Sequence, residues 1–350
     1  MNQILLYCRP GFEHECAQEI VDRAADATIE GEAEAEPDSG FVLFSSAGAN
    51  QVERQQQFSD LVFARQWVHS VEYVDNLPNR DRLTPLLERC RSRKKFGEVL
   101  VEHADTNEAK SLSSFCRKFS PLFSEAATEA GLLDSAASRP LPRLHLFFLD
   151  ASRCYIGLSS PDNASPWLMG IPRLKFPAGA PSRSTLKLSE AFMSFLSPQE
   201  QEKRLRAGMR AVDLGAAPGG WSWQFAQRGI HVAAVDNGPL SPELLAIGMV
   251  EHFKTDGFRY RPRRPVDWMV CDMVEKPSRI AQLVADWILR GDCRETIFNL
   301  KLPMKKRYDA VEDAREKISA ALDKAGINFE LRLKQLYHDR EEVTGHLRRL

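Results

Sequence analysis

Two lysines and several acids in the C-terminal half of the chain stand where strands are expected to end. Asp213 closes "RAVD", Asp236 closes "HVAAVD", and Asp272 closes the near-continuous apolar run "VDWMVCD". Lys301 ends "IFNLK", Lys187 sits on the expected helix "SRSTLKLSEAFMSFL", and Glu341 and Glu342 open the last strand. In open parallel α/β sheets, ligands bind beyond the carboxyl ends of the strands, so these groups converge on one rim. Two lysines and two acids there can trade charge until one amine is neutral enough to take a proton. Lys301 follows Ile-Phe-Asn-Leu, a desolvating setting that is expected to lower its pKa. The chemistry offered is proton abstraction beside a bound ligand.

The ligand is constrained by "RAVDLGAAPGGWSWQF", Arg210–Phe225, which runs a strand into a Gly/Ala/Pro turn and then a helix. Free backbone N–H groups at such a turn meet a ligand. A P-loop needs Lys followed by Ser or Thr at the helix start, and this helix opens Gly219-Gly220-Trp221-Ser222. A dinucleotide fingerprint needs G-x-G-x-x-G; here the turn reads G-A-A-P-G-G, with Pro218 breaking the register. Asp213 would also repel a pyrophosphate. The turn suits a nucleoside-like ligand without phosphate and with positive charge, and S-adenosylmethionine has that chemistry. Asp236 lies 23 residues beyond Asp213, and a carboxylate about 20 residues past a glycine turn is where a ribose diol is held. Taken alone, Asp236 reads equally as a solvated strand end that starts an Asn237-Gly238 turn. The expected cofactor contacts are Asp213, Gly215, Ala217, Pro218, Gly219, Gly220, Asp236 and Asp272.

The elements that position these groups follow from pattern. After residue 180, strand and helix alternate through "HVAAVD", "MVEHFKTD", "PVDWMVCDMV" and "ETIFNLKLP", then a long helix over "YDAVEDAREKISAALDKAG". The end, "INFELRLKQLYHDREEVTGHLRRL", reads as two long strands joined by a tight His-Asp-Arg turn. Alternation predicts a doubly wound, Rossmann-like α/β domain over 181–350, its mainly parallel sheet closed by an antiparallel hairpin. Residues 161–180 lie in a Pro/Gly-rich stretch without helical period and read as a connector. Residues 1–160 read as a separate α+β region of strands such as "ILLYC", "SGFVLFSS", "EVLVEH" and "RLHLFFLD", with helices over "GFEHECAQEIVDRA" and "SLSSFCRKFSPLFSEAATEAGLL". The acidic Ile29–Gly40 reads as a solvated loop. The basic "RCRSRKKFG", Arg89–Gly97, reads as either an RNA contact or a solvated surface.

At 350 residues the chain can bury two cores. Seven cysteines without a C-x-x-C pair argue against a disulfide framework or a zinc site. No apolar run of roughly 18 residues occurs, and the N-terminus lacks the apolar stretch of a signal peptide. A cytoplasmic monomer that needs no membrane and no metal is expected. The first 180 residues carry 19 Lys and Arg against 25 Asp and Glu, the remainder 28 against 23. The half with the glycine turn is thus the basic one, which suits a polyanionic substrate.

"DLGAAPGGWS" is similar to the cofactor motif of the FtsJ-like ribose 2′-O-methyltransferases. Those enzymes carry a Lys-Asp-Lys-Glu tetrad in that chain order. The resemblance places it at Lys187 in "STLKLSEAF", Asp272 in "VCDM", Lys301 in "NLKLP" and Glu342 in "REEVTGHL", with Glu341 the alternative to Glu342. The chain departs from the family at "CDMVEKP", where many members read Asp-Met-Ala-Pro. Over its whole length, through "PSRSTLKL" and "LYHDREEVTGHLRRL", the chain also resembles a family of large-subunit rRNA ribose methyltransferases. These join an N-terminal THUMP-containing region, RNA-binding in character, to an FtsJ-like domain and methylate the ribose of cytidine 2498 in 23S rRNA. The resemblance also implies that Ser184 and Asp256 line the cofactor site, Asp256 meeting the adenine amino group. From the residues alone these two read as a helix cap and a turn.

Together these readings imply that Lys301 takes the proton of a ribose hydroxyl while Lys187, Asp272 and Glu342 hold the lysine and the hydroxyl in place. Much of the rate would come from positioning. A base-modifying RNA methyltransferase is the nearest rival. Cys271 is its candidate nucleophile, although in an alternating strand it points away from the face of Asp272. A cofactor-binding RNA chaperone without activity is a second rival, and the intact lysine and acid set argues against it.

Overall fold

A computed structural model describes residues 2–350, which divide into a unit ending at Pro172 and a second unit, Arg173–Leu350. In the first unit the order is β1 (Asn2–Tyr7), α1 (Glu13–Asp26), β2 (Glu32–Glu34), β3 (Phe41–Ser46), α2 (Ala49–Gln55), β4 (Gln66–Val74), α3 (Leu83–Cys90), β5 (Glu98–His103), α4 (Ser113–Glu129), β6 (Arg143–Phe148) and β7 (Cys154–Ser159). The strands form one sheet in the order β2-β3-β1-β4-β7-β6-β5, with β5 and β6 parallel and the other pairs antiparallel. Ile4, Leu5, Leu6 and Tyr7 are all buried, so β1 is covered on both faces. α1 turns Cys16, Ile20 and Ala24 inward at helical spacing.

Three sequence readings gain detail here. The acidic Ile29–Gly40 is not all loop, because Glu32–Glu34 pairs with β3 as a short edge strand. Charged side chains fit an edge, where one side of the strand stays in water. The basic Arg89–Gly97 run spends two of its arginines on Glu72, through Arg89 at 2.6 Å and Arg93 at 3.1 Å. The Pro/Gly-rich stretch is in part packed structure. Asn163 accepts from Phe58 N at 2.7 Å and donates to the carbonyls of Glu53 and Gln56, and Met169 N donates to the buried Glu102. Satisfying those buried backbone groups ties residues up to Pro172 to the first unit.

In the second unit the order is α5 (Thr185–Phe195), α6 (Pro198–Arg204), β8 (Arg210–Leu214), α7 (Gly220–Ala226), β9 (His231–Val235), α8 (Pro242–Ala246), β10 (Val250–Phe253), β11 (Val266–Cys271), α9 (Pro277–Arg290), β12 (Cys293–Lys301), α10 (Arg307–Lys324), β13 (Phe329–Lys334) and β14 (Glu342–Arg349). The sheet order is β10-β9-β8-β11-β12-β14-β13. Every pair is parallel except the two made by β14. Trp268, Phe192 and Phe225 pack as tilted and edge-on rings beneath it. This is the mainly parallel sheet with a terminal antiparallel hairpin that alternation predicts. The carboxyl ends of β8, β9, β11 and β12 share one rim.

Helix α9 was not assigned from sequence. Parallel neighbours β11 and β12 need a crossover between them, and α9 supplies it with Ile280, Val284, Trp287 and Ile288 buried. The connection from β13 to β14 is not a tight turn; it runs over 335–341. Glu190 of α5 holds it, accepting from Tyr337 N at 2.7 Å and His338 N at 2.9 Å. Strand β10 ends at Phe253, so Asp256 lies in the loop beyond it.

Candidate active site

The glycine turn after β8 keeps its shape through close approaches that side chains would block. Gly215 has φ +80°, and a Cβ there would stand 2.8 Å from Met273 Cγ. A Cβ on Gly220 would collide with the hydroxyls of Ser182 and Ser184, at the entrance to α5. Trp221 Nε1 closes that contact by donating to the Ser184 carbonyl at 3.0 Å. Asp236, at the end of β9, braces the turn from the other side: its carboxylate accepts from Ala217 N at 3.0 Å and Gly238 N at 2.7 Å. The Ala217–Pro218 peptide is cis.

Beside the turn lies a cavity of about 390 Å³, within the range of small-molecule sites. Five of the expected cofactor residues line it: Gly215, Ala217, Asp236, Asp256 and Asp272. Thr255, Gly257, Phe258, Met273, Val274 and Glu275 line it too and were not singled out from sequence. The available signal was position, since all six follow strand ends on the ligand rim. Gly219 and Gly220 pack instead against Leu244 and the Ser182–Ser184 segment, and Pro218 and Ser184 are also off the wall. The wall carries four carboxylates and no lysine or arginine. Such a donor set attracts a cation and repels phosphate, so the residues present fit S-adenosylmethionine.

Asp213 lies beneath this wall, 1% exposed. Its Oδ2 accepts from Ser222 Oγ at 2.7 Å, and its Oδ1 has no partner. Burial pushes its carboxyl up to about 7; the Ser222 hydrogen bond pulls against the shift, and the charges of Asp272 and Asp236 add to it. An unfolded chain releases this proton near pH 4, whereas the folded chain holds it to about pH 7. Folding stability attributable to Asp213 is therefore greatest below pH 4 and falls as pH rises from 4 to 7. Asp213→Asn, neutral throughout, should gain stability over the wild type across that window. Urea titrations at pH 4.5 and 7.5 test this, and an equal offset at both would exclude the buried titration.

The two lysines and two acids meet at the same rim. Lys301 and Glu342 face each other across β12 and β14. Lys301 Nζ donates to Asp272 Oδ1 at 2.5 Å and also to Glu342 Oε2. Lys187 of α5 pairs with Glu342 Oε1 and stands 3.5 Å from Asp272 Oδ2. Glu341 points elsewhere, 62% exposed and paired with Arg307 at 2.8 Å. The geometry thus groups Lys187, Asp272, Lys301 and Glu342. One expectation is reversed. Burial alone would lower the pKa of Lys301, but the charges and hydrogen bonds of Asp272 and Glu342 outweigh it and raise the pKa above the ordinary lysine value.

Cys271 is fully buried and its thiol is pushed up to about 12, chiefly by burial, which leaves no thiolate to act as a nucleophile. A larger cavity, about 730 Å³, runs along β8–β10 past Arg210, Arg261, Arg263 and Arg264, and none of the expected site residues lines it. Among the described residues no helix is long and apolar enough to cross a membrane, and no group of three His, Cys, Asp or Glu residues is placed to hold a metal.

Three family models match the sequence: an RlmM ferredoxin-like domain over residues 1–68, the N-terminal part of Ribosomal RNA large subunit methyltransferase M over 81–160, and an FtsJ-like methyltransferase over 180–294. Ribosomal RNA large subunit methyltransferase M of Klebsiella pneumoniae subsp. pneumoniae is 51% identical over 355 residues, covering 100% of this chain and 97% of the relative. Its counterpart in Azoarcus sp. is 53% identical over 352 residues, covering 99% and 96%. Among solved structures, TrmN from Thermus thermophilus aligns over 100% of both chains at 17% identity, with a TM-score of 0.38.

Proposed function

Because the chain belongs to the Ribosomal RNA large subunit methyltransferase M family, we propose that it methylates large-subunit rRNA on a ribose 2′-hydroxyl. The proposed target, by resemblance, is cytidine 2498 of 23S rRNA. The observation that carries the ribose assignment is Asp272. It lines the cavity and also accepts from Lys301, which supports a lysine-centred acid–base cluster acting beside the cofactor.

S-adenosylmethionine would be held by Asp236, Asp256 and the glycine turn, and would supply an electrophilic methyl group when bound. The remaining work falls to the chain. A ribose hydroxyl is a poor nucleophile at neutral pH, and Lys301 takes its proton as the hydroxyl attacks. Lys301 begins as an ammonium, because two carboxylates hold it so. It must release that proton to solvent before it can take the hydroxyl's, so the reaction draws on the small neutral fraction of the lysine. Lys187 and Glu342 fix the ammonium geometry and orient the hydroxyl. The first unit presents the RNA, and the rim of the second performs the transfer.

Two measurements test this. Digesting methylated rRNA to nucleosides should place the label on ribose; label on a base would discard the ribose assignment. Asp236→Ala should weaken cofactor binding, since the ribose diol loses its acceptor and the turn loses two backbone bonds. A hydrogen bond to a charged group is worth roughly 1.5–3 kcal/mol, so calorimetry should show a loss of about 10–100-fold. Unchanged affinity would remove Asp236 from the site.

A further inference from the structure

Behind the tetrad runs a chain of buried polar groups that ends at Asp339. Asn299 and Thr344 lie opposite each other on β12 and β14, two pairs inward from Lys301 and Glu342 and so on the same face. Asn299 Nδ2 donates to Asp272 Oδ1 at 2.9 Å. Thr344 Oγ1 stands 2.8 Å from Asn299 Oδ1 and 2.9 Å from Asp339 Oδ2. Leu336 N donates to Asp339 Oδ2 at 3.0 Å. Asn299, Thr344 and Asp339 are each at most 1% exposed.

Counting protons fixes the direction of this chain. Asp272, between two lysine ammonium groups, is an acceptor, so Asn299 must offer it the amide nitrogen and turn its oxygen to Thr344. The threonine hydroxyl has one proton but lies between two oxygens, those of Asn299 and Asp339. An ionised Asp339 would leave one contact without hydrogen, which is costly in a buried site. A protonated Asp339 supplies it. Burial pushes this carboxyl well above the usual range, and the charges of Glu342 and Glu190 push the same way. Asp339 then donates to Thr344, Thr344 to Asn299, and Asn299 to Asp272. All three bonds point toward the tetrad.

We propose that Asp339, Thr344 and Asn299 form a positioning relay that fixes the orientation of Asp272 and, through it, of Lys301. The relay rests on the methyl transfer proposed above and acts through Asp272, without touching substrate. Its residues come from β12, β14 and the 335–341 connection, which Glu190 anchors to the helix that carries Lys187.

Thr344 separates the relay from packing. Val keeps the shape and removes the hydroxyl; Ser keeps the hydroxyl and removes the methyl. Thr344→Val should lower kcat for rRNA methylation by about 10–100-fold, because small misplacement of reacting groups carries penalties of that order. Its cofactor affinity by calorimetry should stay near that of the wild type. Thr344→Ser should retain most of its turnover. A packing role predicts the reverse order, and an active Val variant or an equally impaired Ser variant overturns the relay. Should Thr344→Val lose its fold by circular dichroism, Asp339 tests the chain from its far end. Asp339→Asn keeps a neutral donor and should stay active, whereas Asp339→Leu should not; an inactive but folded Asn variant overturns the proposal. The wild type assayed alongside keeps the two claims distinct. Ribose methylation by the wild type with an active Val variant strikes the relay alone, while no ribose methylation by the wild type strikes the proposed function and the relay with it.

Discussion

Lys301→Ala should abolish methyl transfer while leaving S-adenosylmethionine affinity nearly intact. General-base assistance is worth about 10²–10⁴ in rate, and the cavity wall that carries Gly215, Ala217, Asp236 and Asp256 does not include the lysine. Lys301→Arg should fail as well, since guanidinium stays protonated at any working pH. The pH profile sharpens the test. The free chain holds Lys301 as an ammonium, with its pKa above the ordinary lysine value. Because kcat/KM reports the free enzyme, it should climb about tenfold per pH unit from 7 to 9 without reaching a plateau. If Lys301 were instead a fixed positive anchor for an RNA phosphate, Arg would substitute well and activity would fall at high pH. Robust turnover by the Arg variant, measured on rRNA with the wild type beside it, would falsify the general-base role.

How the charge of Lys301 is set also shows where sequence stops being informative. The apolar run before Lys301 signals desolvation, and that signal is correct: burial does act to lower its pKa. The opposing carboxylates lie 29 and 41 residues away along the chain, on a strand end and on β14, and only the register of the sheet brings them within reach. Strand ends themselves were legible. Apolar runs closing in Asp213, Asp236 and Asp272 place all three on the ligand rim, because a parallel sheet aligns its carboxyl ends. Which of them faces the ligand was not legible. Asp236 and Asp272 line the cavity, whereas Asp213 is turned beneath it toward Ser222.

Longer-range features were harder still. The stretch over 335–341 looks in sequence like a hairpin turn, and nothing local shows that Asp339 is buried or that Glu190 ties down the backbone. Helix α9 carries a clear apolar stripe, yet it falls between two stretches whose chemistry is more conspicuous. The first unit is similar over residues 1–68 to a ferredoxin-like domain, which is compatible with the THUMP-containing region that the resemblance implies. Short strands and amphipathic helices determine an α+β class there, but pairing order depends on contacts that pattern does not encode. Glu341 stays open in sequence as the alternative to Glu342 for a related reason. Adjacent strand residues face opposite sides, and only the β12–β14 register decides that Glu342 is the one opposite Lys301.

Glu342 should therefore be the residue whose loss costs the second unit most in stability at this site. Its side chain is 6% exposed and pairs with both lysines. Glu342→Gln preserves shape but leaves two ammonium groups sharing Asp272 alone, a net positive cluster in a partly dry place. Removing one partner of a buried ion pair costs about 3–5 kcal/mol; the residual exposure of the lysines sets the expectation at the lower end, about 3. The sign with pH follows from Lys301. Its raised pKa contributes stability that is complete below the unfolded lysine value, about 10.4, and is lost as pH climbs through the higher folded value. The gap between wild type and Glu342→Gln should accordingly be widest near neutrality and narrow above pH 10. Turnover should fall too, despite a more easily deprotonated lysine, because Lys187 and Lys301 repel each other out of register. Denaturant titrations at about pH 7.5 and 11.5, the second well above the unfolded lysine value, measure the gap directly. A gap that stays constant between them would mean that Glu342 stabilises the fold by packing, and that the tetrad is not held together by its charges.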